Sequence, residues 1–183
     1  MRTLIRTSAI IALTASLSAC VSGAQSVNMV PTSLQQVDTG NPLSSSVSVE
    51  GVTGGKETSP LWTSQISNTQ FHGALRDALT SAGLYEPIGD YTLEARLISV
   101  DQPFAGLDLT VTTTVEYILR RSNGLEVFRE TISTPYTATF SDAMIASTRL
   151  RLANEGSARA NISRMIDQLQ SEGNKLRSTS VTS

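Results

Sequence analysis

The sequence predicts a small α+β sandwich of order β-α-β-β-β-α, with an antiparallel or mixed sheet and both helices packed on one face. Three observations lead there. Apolar residues recur with a period of two in two stretches, Tyr91 to Leu97 and, with Thr113 as the exception, Leu107 to Leu119. They recur at three- and four-residue spacing in two others, Phe71 to Ala82 and Ala158 to Leu169. Between the second strand pattern and the next apolar run stands Ser122-Asn123-Gly124, a turn whose Asn and Gly tolerate positive φ and fold the chain back as a hairpin.

Taken in order, the first element is a short strand over Ser46 to Val52, where β-branched residues alternate with polar ones. A loop with Gly54, Gly55 and Pro60 follows. The first helix then carries Phe71, Ala74, Leu75, Ala78, Leu79 and Ala82 on one face, with Ser67 or Asn68 as N-cap and Gly83 as its stop. Arg76, Asp77 and Thr80 fall on the wet face. Tyr91, Leu93, Ala95 and Leu97 mark the second strand. Leu107, Leu109, Val111, Val115, Tyr117 and Leu119 mark a longer third strand, whose other side carries Asp108, Thr110, Thr112, Thr114 and Glu116. Its hairpin partner spans Leu125 to Tyr136. Ile98, Ile118 and Phe128 fall off these stripes, as if to line a groove or a second packed face. The last helix presents Ala158, Ile162, Met165, Ile166 and Leu169, with Glu155 placed to support Arg159 across one turn and Gly156 interrupting the pattern near its start.

The ends of the chain are different. Residues 1–19 have the build of a secretory signal: Arg2 and Arg6, an apolar core from Ala9 to Leu17, then small residues. The core is too short to span a bilayer. Leu17-Ser18-Ala19-Cys20 resembles the bacterial lipobox, which implies that the Cys20 thiol is diacylated, the signal is cut before it, and the new amino group is acylated too. Two or three acyl chains give stable attachment where one gives only marginal binding. By the same resemblance, Val21 in place of aspartate after the cysteine implies sorting to the outer membrane. Residues 20–45 are rich in Ser, Gln, Asn, Thr and Gly without apolar periodicity, and are expected to be a flexible tether. As a coil it would hold the domain roughly 25 to 30 Å from the membrane on average, and fully extended about 80 Å. A single domain over residues 46–172 follows, and 173–183 is expected to be a disordered tail.

With 183 residues and 39% apolar content, one compact domain is the expectation. Setting aside Arg2 and Arg6 leaves 12 basic residues against 16 acidic ones, a net charge of −4, so no nucleic-acid surface is expected. The one cysteine is assigned to lipid, which leaves no internal disulfide. Gly51-Val52-Thr53-Gly54-Gly55-Lys56 is a poor phosphate loop, because Glu50 stands where the first glycine is needed and Glu57 replaces the hydroxyl that holds magnesium. His72 is the single histidine, half-buried on a helix and without a partner motif, so no metal, cofactor or catalytic site is expected.

Four residues stand out as candidates for binding a partner. Trp62 lies in a Gly/Pro loop, where a large aromatic serves either as an interface anchor or as a cap on the core. Thr112 represents the threonine face of the long strand, a docking surface or an ordinary solvated sheet face. Arg120 and Arg121 flank the hairpin turn and either contact phosphate or are simply solvated. Asn161-Ile162-Ser163 matches a glycosylation sequon of little meaning in a bacterial lipoprotein.

The order of elements is similar to the compact α+β modules of small outer-membrane lipoproteins, including the lipopolysaccharide-assembly and ABC-transporter auxiliary lipoproteins. No residue motif of those families is present, so no site follows from them. Gly54 to Trp62 and Arg149 to Gly156 resemble segments in a group of uncharacterised proteobacterial lipoproteins. Together these features imply a non-enzymatic, membrane-anchored envelope lipoprotein that binds another envelope protein. The alternative is a lipid or amphiphile handler, which would need an apolar pocket between helices and sheet.

Overall fold

The computed structural model describes residues 21–59 and 63–181; the signal segment with Cys20, the loop residues Pro60, Leu61 and Trp62, and residues 182–183 lie outside the described residues. The elements are α1 (Ser26–Met29), β1 (Val47–Thr53), α2 (Asn68–Ser81), β2 (Tyr91–Asp101), β3 (Leu109–Arg121), β4 (Glu126–Ala138) and α3 (Ala146–Val181). The sheet has the order β1-β2-β3-β4. β1 and β2 are parallel, joined by α2 as the crossover that parallel neighbours require, while β2-β3 and β3-β4 are antiparallel. The α+β class and the mixed sheet are therefore as the sequence predicts.

One core joins the inward face of the sheet to both long helices. Phe71, Leu75 and Leu79 of α2 meet Leu93, Val115, Tyr117 and Leu119 of the sheet and Ile162, Met165 and Leu169 of α3, all buried. Ser67 caps α2, its Oγ accepting from the Gln70 N–H at 3.3 Å. At the other end, Gly83 takes a φ of +73° while the Leu84 N–H reaches the Leu79 carbonyl, which closes the helix as the sequence implies. Phe128, which stood off the stripes, lies opposite Leu119 and belongs to the main core. Ile98 is the extra residue of a bulge in β2 and points outward. Leu107 is not in β3: pairing begins at Leu109, and the loop containing Pro103 and Gly106 leaves Leu107 exposed.

Two expectations about the ends are corrected. Residues 21–45 are not a free tether. Ala24, Met29 and Leu43 are buried in the main core, and the Val37 N–H donates to the carbonyl of Ala82 at 2.9 Å. Asn41, also buried, donates to the Gln170 carbonyl of α3 at 3.0 Å and accepts from the Leu43 N–H at 2.9 Å. An irregular segment held by such side-chain and backbone bonds carries no periodicity for sequence reasoning to find. Nor is 173–181 a frayed tail, since α3 is a single helix of 36 residues, about 54 Å long at 1.5 Å per residue. Its interior glycines mark close approaches: a Cβ at Gly156 would collide with the Tyr136 ring, and one at Gly173 with the Asn41 side chain.

A polar seam crosses the apolar core between α3 and the β3-β4 hairpin. Thr113, Thr134, Ser157 and Asn161 are all buried there. The Ser157 hydroxyl lies 2.8 Å from Thr113 Oγ1 and donates to the Thr134 carbonyl at 2.8 Å. Asn161 Nδ2 donates to the carbonyls of Thr113 at 3.0 Å and Ile132 at 2.8 Å, and its Oδ1 accepts from the Tyr117 hydroxyl at 2.8 Å. Each buried polar group thus has a partner, which fixes the register of α3 on the hairpin. Among the described residues, no helix is long and apolar enough to cross a membrane.

Candidate functional site

Three of the residues singled out from the sequence can be placed; Cys20 and Trp62 lie outside the described residues. Thr112, Arg120 and Arg121 are all on β3, but Thr112 and Arg120 are separated by about 27 Å of strand at 3.4 Å per residue. The fold does not bring them into one site. Arg120 is held by Glu94 at 2.6 Å and lies 3.8 Å from Glu126, while the Arg121 guanidinium sits 5.7 Å from the Tyr91 ring centroid.

The Arg120 pairs belong to a lattice of alternating charges across the outer sheet face, whereas Arg121, opposite the core residue Tyr91, does not. Glu116 accepts from Arg96 at 2.9 Å and from Arg129 at 3.1 Å, and Arg129 in turn pairs with Glu126 at 2.6 Å. Hydrogen bonding from Arg96, then from Arg129, holds the Glu116 carboxyl below its ordinary range, and Arg129 does the same for Glu126. The Glu94 contact raises Arg120. Farther along the strand the hydroxyls of Thr110 and Thr137 meet at 2.8 Å, and those of Thr114 and Ser133 at 3.0 Å. Such a face is satisfied within itself, as solvated antiparallel faces are.

The edge strand β4 offers more. Among the described residues no strand pairs with its outer edge, which runs for 13 residues. Pro135 lies in it, a residue that edge strands tolerate. Beside its C-terminal half a cleft of about 320 Å³ opens between α1, α3 and the strand, lined by Asn28, Tyr136, Asp142, Leu152, Glu155 and Arg159. Glu155 is buried at its base, accepting from the Gln25 N–H and from Asn28 Nδ2, each at 3.1 Å, with Arg151 Nε at 3.9 Å. Its partners are thus the N-terminal segment and Arg151, not Arg159 as helix spacing suggests. Arg159 instead donates to the Asn28 carbonyl at 2.9 Å and lies 6.0 Å from the Tyr136 ring centroid. None of these cleft residues carries a motif; the one sequence signal is the four-residue spacing of Glu155 and Arg159, which predicts modest support across a helical turn.

Chemically, the cleft sets the Tyr136 ring and the Arg159 guanidinium beside the free strand edge. Among the described residues no group of three or more His, Cys, Asp and Glu side chains is placed to hold a metal ion. The space between helices and sheet, where a lipid pocket would lie, is filled by fully buried Phe71, Leu75, Leu93, Tyr117, Ile162 and Met165.

No family model matches the sequence, and no curated protein matches it. Solved structures do. Protein XCC0632 from Xanthomonas campestris, assigned to family-model DUF330, superposes with a TM-score of 0.58 at 13% identity, over 80% of this chain and 96% of that one. A protein from Caulobacter crescentus CB15, provisionally described as a lipoprotein, superposes with a TM-score of 0.51 at 17% identity, over 74% of this chain and 96% of its own. At these identities the likeness is one of fold.

Proposed function

We propose that the protein is an envelope lipoprotein, anchored through Cys20 in the outer membrane, whose domain is a non-enzymatic binding component for another envelope protein. The observation that carries the binding reading is the unpaired edge of β4 beside the Tyr136 and Arg159 cleft. Free strand edges template pairing with another chain, and strand addition is a common way to recognise an extended segment; Pro135 interrupts this edge at one position and limits non-specific pairing. The lipobox-like Leu17 to Cys20 supplies the membrane address, Val21 supports the outer membrane, and the shared fold with a protein described as a lipoprotein agrees with it.

In-cell photocrosslinking tests the reading. Photoreactive residues at Ser133 and Tyr136 are expected to capture one and the same envelope protein, Thr112 on the outer face to capture it weakly, and Thr80 on α2 not at all. Equal capture from all positions, or capture of lipid alone from β4, would overturn it. For the anchor, Cys20→Ser is expected to leave the domain folded while blocking processing or releasing it from the membrane fraction. A processed, membrane-bound Cys20→Ser protein would refute the anchor.

A further inference from the structure

One end of the domain gathers large apolar side chains that remain largely exposed. β1 and β2 run parallel, so the loops after Thr53 and Asp101 share an end; β3 starts and β4 finishes there too. The loop 102–108 exposes Phe104 fully and Leu107 by 75%, and the loop 139–145 exposes Phe140 by 48%, Met144 by 81% and Ile145 by 65%. Large apolar side chains exposed together at one end of a domain mark a surface that meets another phase or partner.

The two loops are built to hold these tips outward. The Asp108 carboxylate accepts from the Phe140 N–H at 2.9 Å, joining one loop to the other. Asp142 accepts from the N–H and hydroxyl of Thr139 at 2.7 and 2.9 Å, which holds its carboxyl below the ordinary range. The carboxylates of these two loops, Asp108 and Asp142, are thus each engaged by loop N–H groups. Arg149, itself buried, donates to the carbonyls of Ala143 at 2.6 Å and Met144 at 3.0 Å and lies 5.3 Å from the Phe140 ring centroid. The Met144 and Ile145 side chains are left facing solvent.

What covers this end follows from where the chain comes in. Ser22 Oγ accepts from Arg151 at 2.8 Å, and the Ala24 N–H donates to the Gln65 carbonyl at 3.0 Å. Arg151 stands five residues beyond Ala146, about 7.5 Å of helix rise from the Met144 and Ile145 loop. Ser22 is only two residues after Cys20 in the sequence, so the chain reaches this end of the domain already packed, with no tether between Ser22 and the helix.

We infer that this end is a membrane-seating surface: Phe104, Leu107, Phe140, Met144 and Ile145 enter the interface of the phospholipid leaflet that holds the Cys20 acyl chains and fix the domain's orientation on it. Apolar side chains buried at headgroup depth bind in proportion to the apolar area they bury, and here they would orient a domain that the acyl chains already hold. The inference rests on the reading of Cys20 as the acylated residue.

The test uses the full, processed protein in vesicles of phosphatidylethanolamine and phosphatidylglycerol. An acylated Cys20 has no free thiol, so Phe104→Cys, Met144→Cys or, at the opposite end, Ile88→Cys supplies the sole site for an environment-sensitive fluorophore. Ile88 is 94% exposed and serves as the control. Labels at 104 and 144 are expected to be quenched by nitroxide-bearing lipids and protected from aqueous iodide, and the label at 88 to behave in the reverse way. Equal iodide quenching at all three positions, with Cys20 acylation verified by intact mass, would overturn the seating. An intact mass without acyl chains would instead refute the anchor and the seating with it. Protection at 104 and 144 in native membranes but not in lipid vesicles would assign this end to a protein partner and likewise overturn the proposal.

Discussion

Asn161→Ala is the most incisive test of how α3 is held on the sheet. Asn161 is fully buried, donates to two strand carbonyls at 3.0 and 2.8 Å, and accepts the Tyr117 hydroxyl at 2.8 Å. Truncation deletes three bonds, each worth about 0.5–1.5 kcal/mol net, and leaves the Tyr117 hydroxyl buried without this partner at a penalty of about 1–3 kcal/mol. The carbonyls retain a second lone pair, so the summed loss should be about 3–5 kcal/mol, a large share of a typical domain's stability. Urea unfolding followed by circular dichroism reads it as a lowered midpoint with unchanged slope. Tyr117→Phe removes one of the same bonds and should lose about 1–2 kcal/mol. Because the two residues share that bond, the double variant should lose less than the sum of the single ones. A loss below about 1 kcal/mol for Asn161→Ala, or strict additivity, would refute the view that this seam acts as one network.

Burial raises the Tyr117 hydroxyl well above its ordinary value of 10.0. Above pH 10 the unfolded chain releases this proton while the native one keeps it, so Tyr117 should make stability fall by about 1.4 kcal/mol per pH unit, and urea midpoints from pH 9 to 11 should decline more steeply than in Tyr117→Phe. Gly156→Ala should destabilise, although Ala usually gains about 1 kcal/mol over Gly in a helix, because the new Cβ meets the Tyr136 ring. In a Tyr136→Ala background the same change should stabilise, and thermal melts showing stabilisation in both backgrounds would exclude the close packing. Removing residues 21–45 exposes the sites of Met29 and Leu43, both 0% exposed, and should lower stability by at least about 3 kcal/mol. Equal urea midpoints for chains beginning at Val21 and at Ser46 would mean that the segment is a tether after all.

The parts of the fold that were legible are those in which periodicity and punctuation agree. Ser67, the Phe71 to Ala82 stripe and Gly83 define α2 closely, and the alternation in Leu109 to Leu119 with the Asn123 turn defines the β3-β4 hairpin. Two features were hidden for different reasons. In α3, Asn154, Ser157 and Asn161 form a polar stripe at helical spacing, buried because strand carbonyls and hydroxyls face Ser157 and Asn161 while the Ser64 carbonyl and Gln102 of the loops meet Asn154. Polarity at that spacing reads as solvent exposure unless the partner face is known, and Thr113, which breaks the apolar alternation of β3, was its faint counterpart. The glycines of α3 misled in the opposite direction, since they accommodate crossing side chains in mid-helix and do not end it. The β4 edge and its cleft come from tertiary placement, which no local pattern in Asn28, Tyr136 or Arg159 encodes.

The packed N-terminal segment also changes how an anchored binding component would work. A coil of residues 20–45 would let the domain search a shell around its anchor, and affinity would come from effective concentration alone. With Ser22 bonded to Arg151, an acylated Cys20 leaves the domain no such freedom, and orientation becomes part of recognition. β4 ends at Ala138, at the same end of the domain, so its free edge would rise from the membrane for up to about 44 Å at 3.4 Å per residue. A segment added to it would run away from the membrane and not along it. Crosslinks from Thr137 and Arg129 should therefore reach partner residues about eight positions apart in sequence, at correspondingly different distances from the membrane. Crosslinks from both to one partner residue would mean that β4 is contacted across its edge and is not extended by a strand.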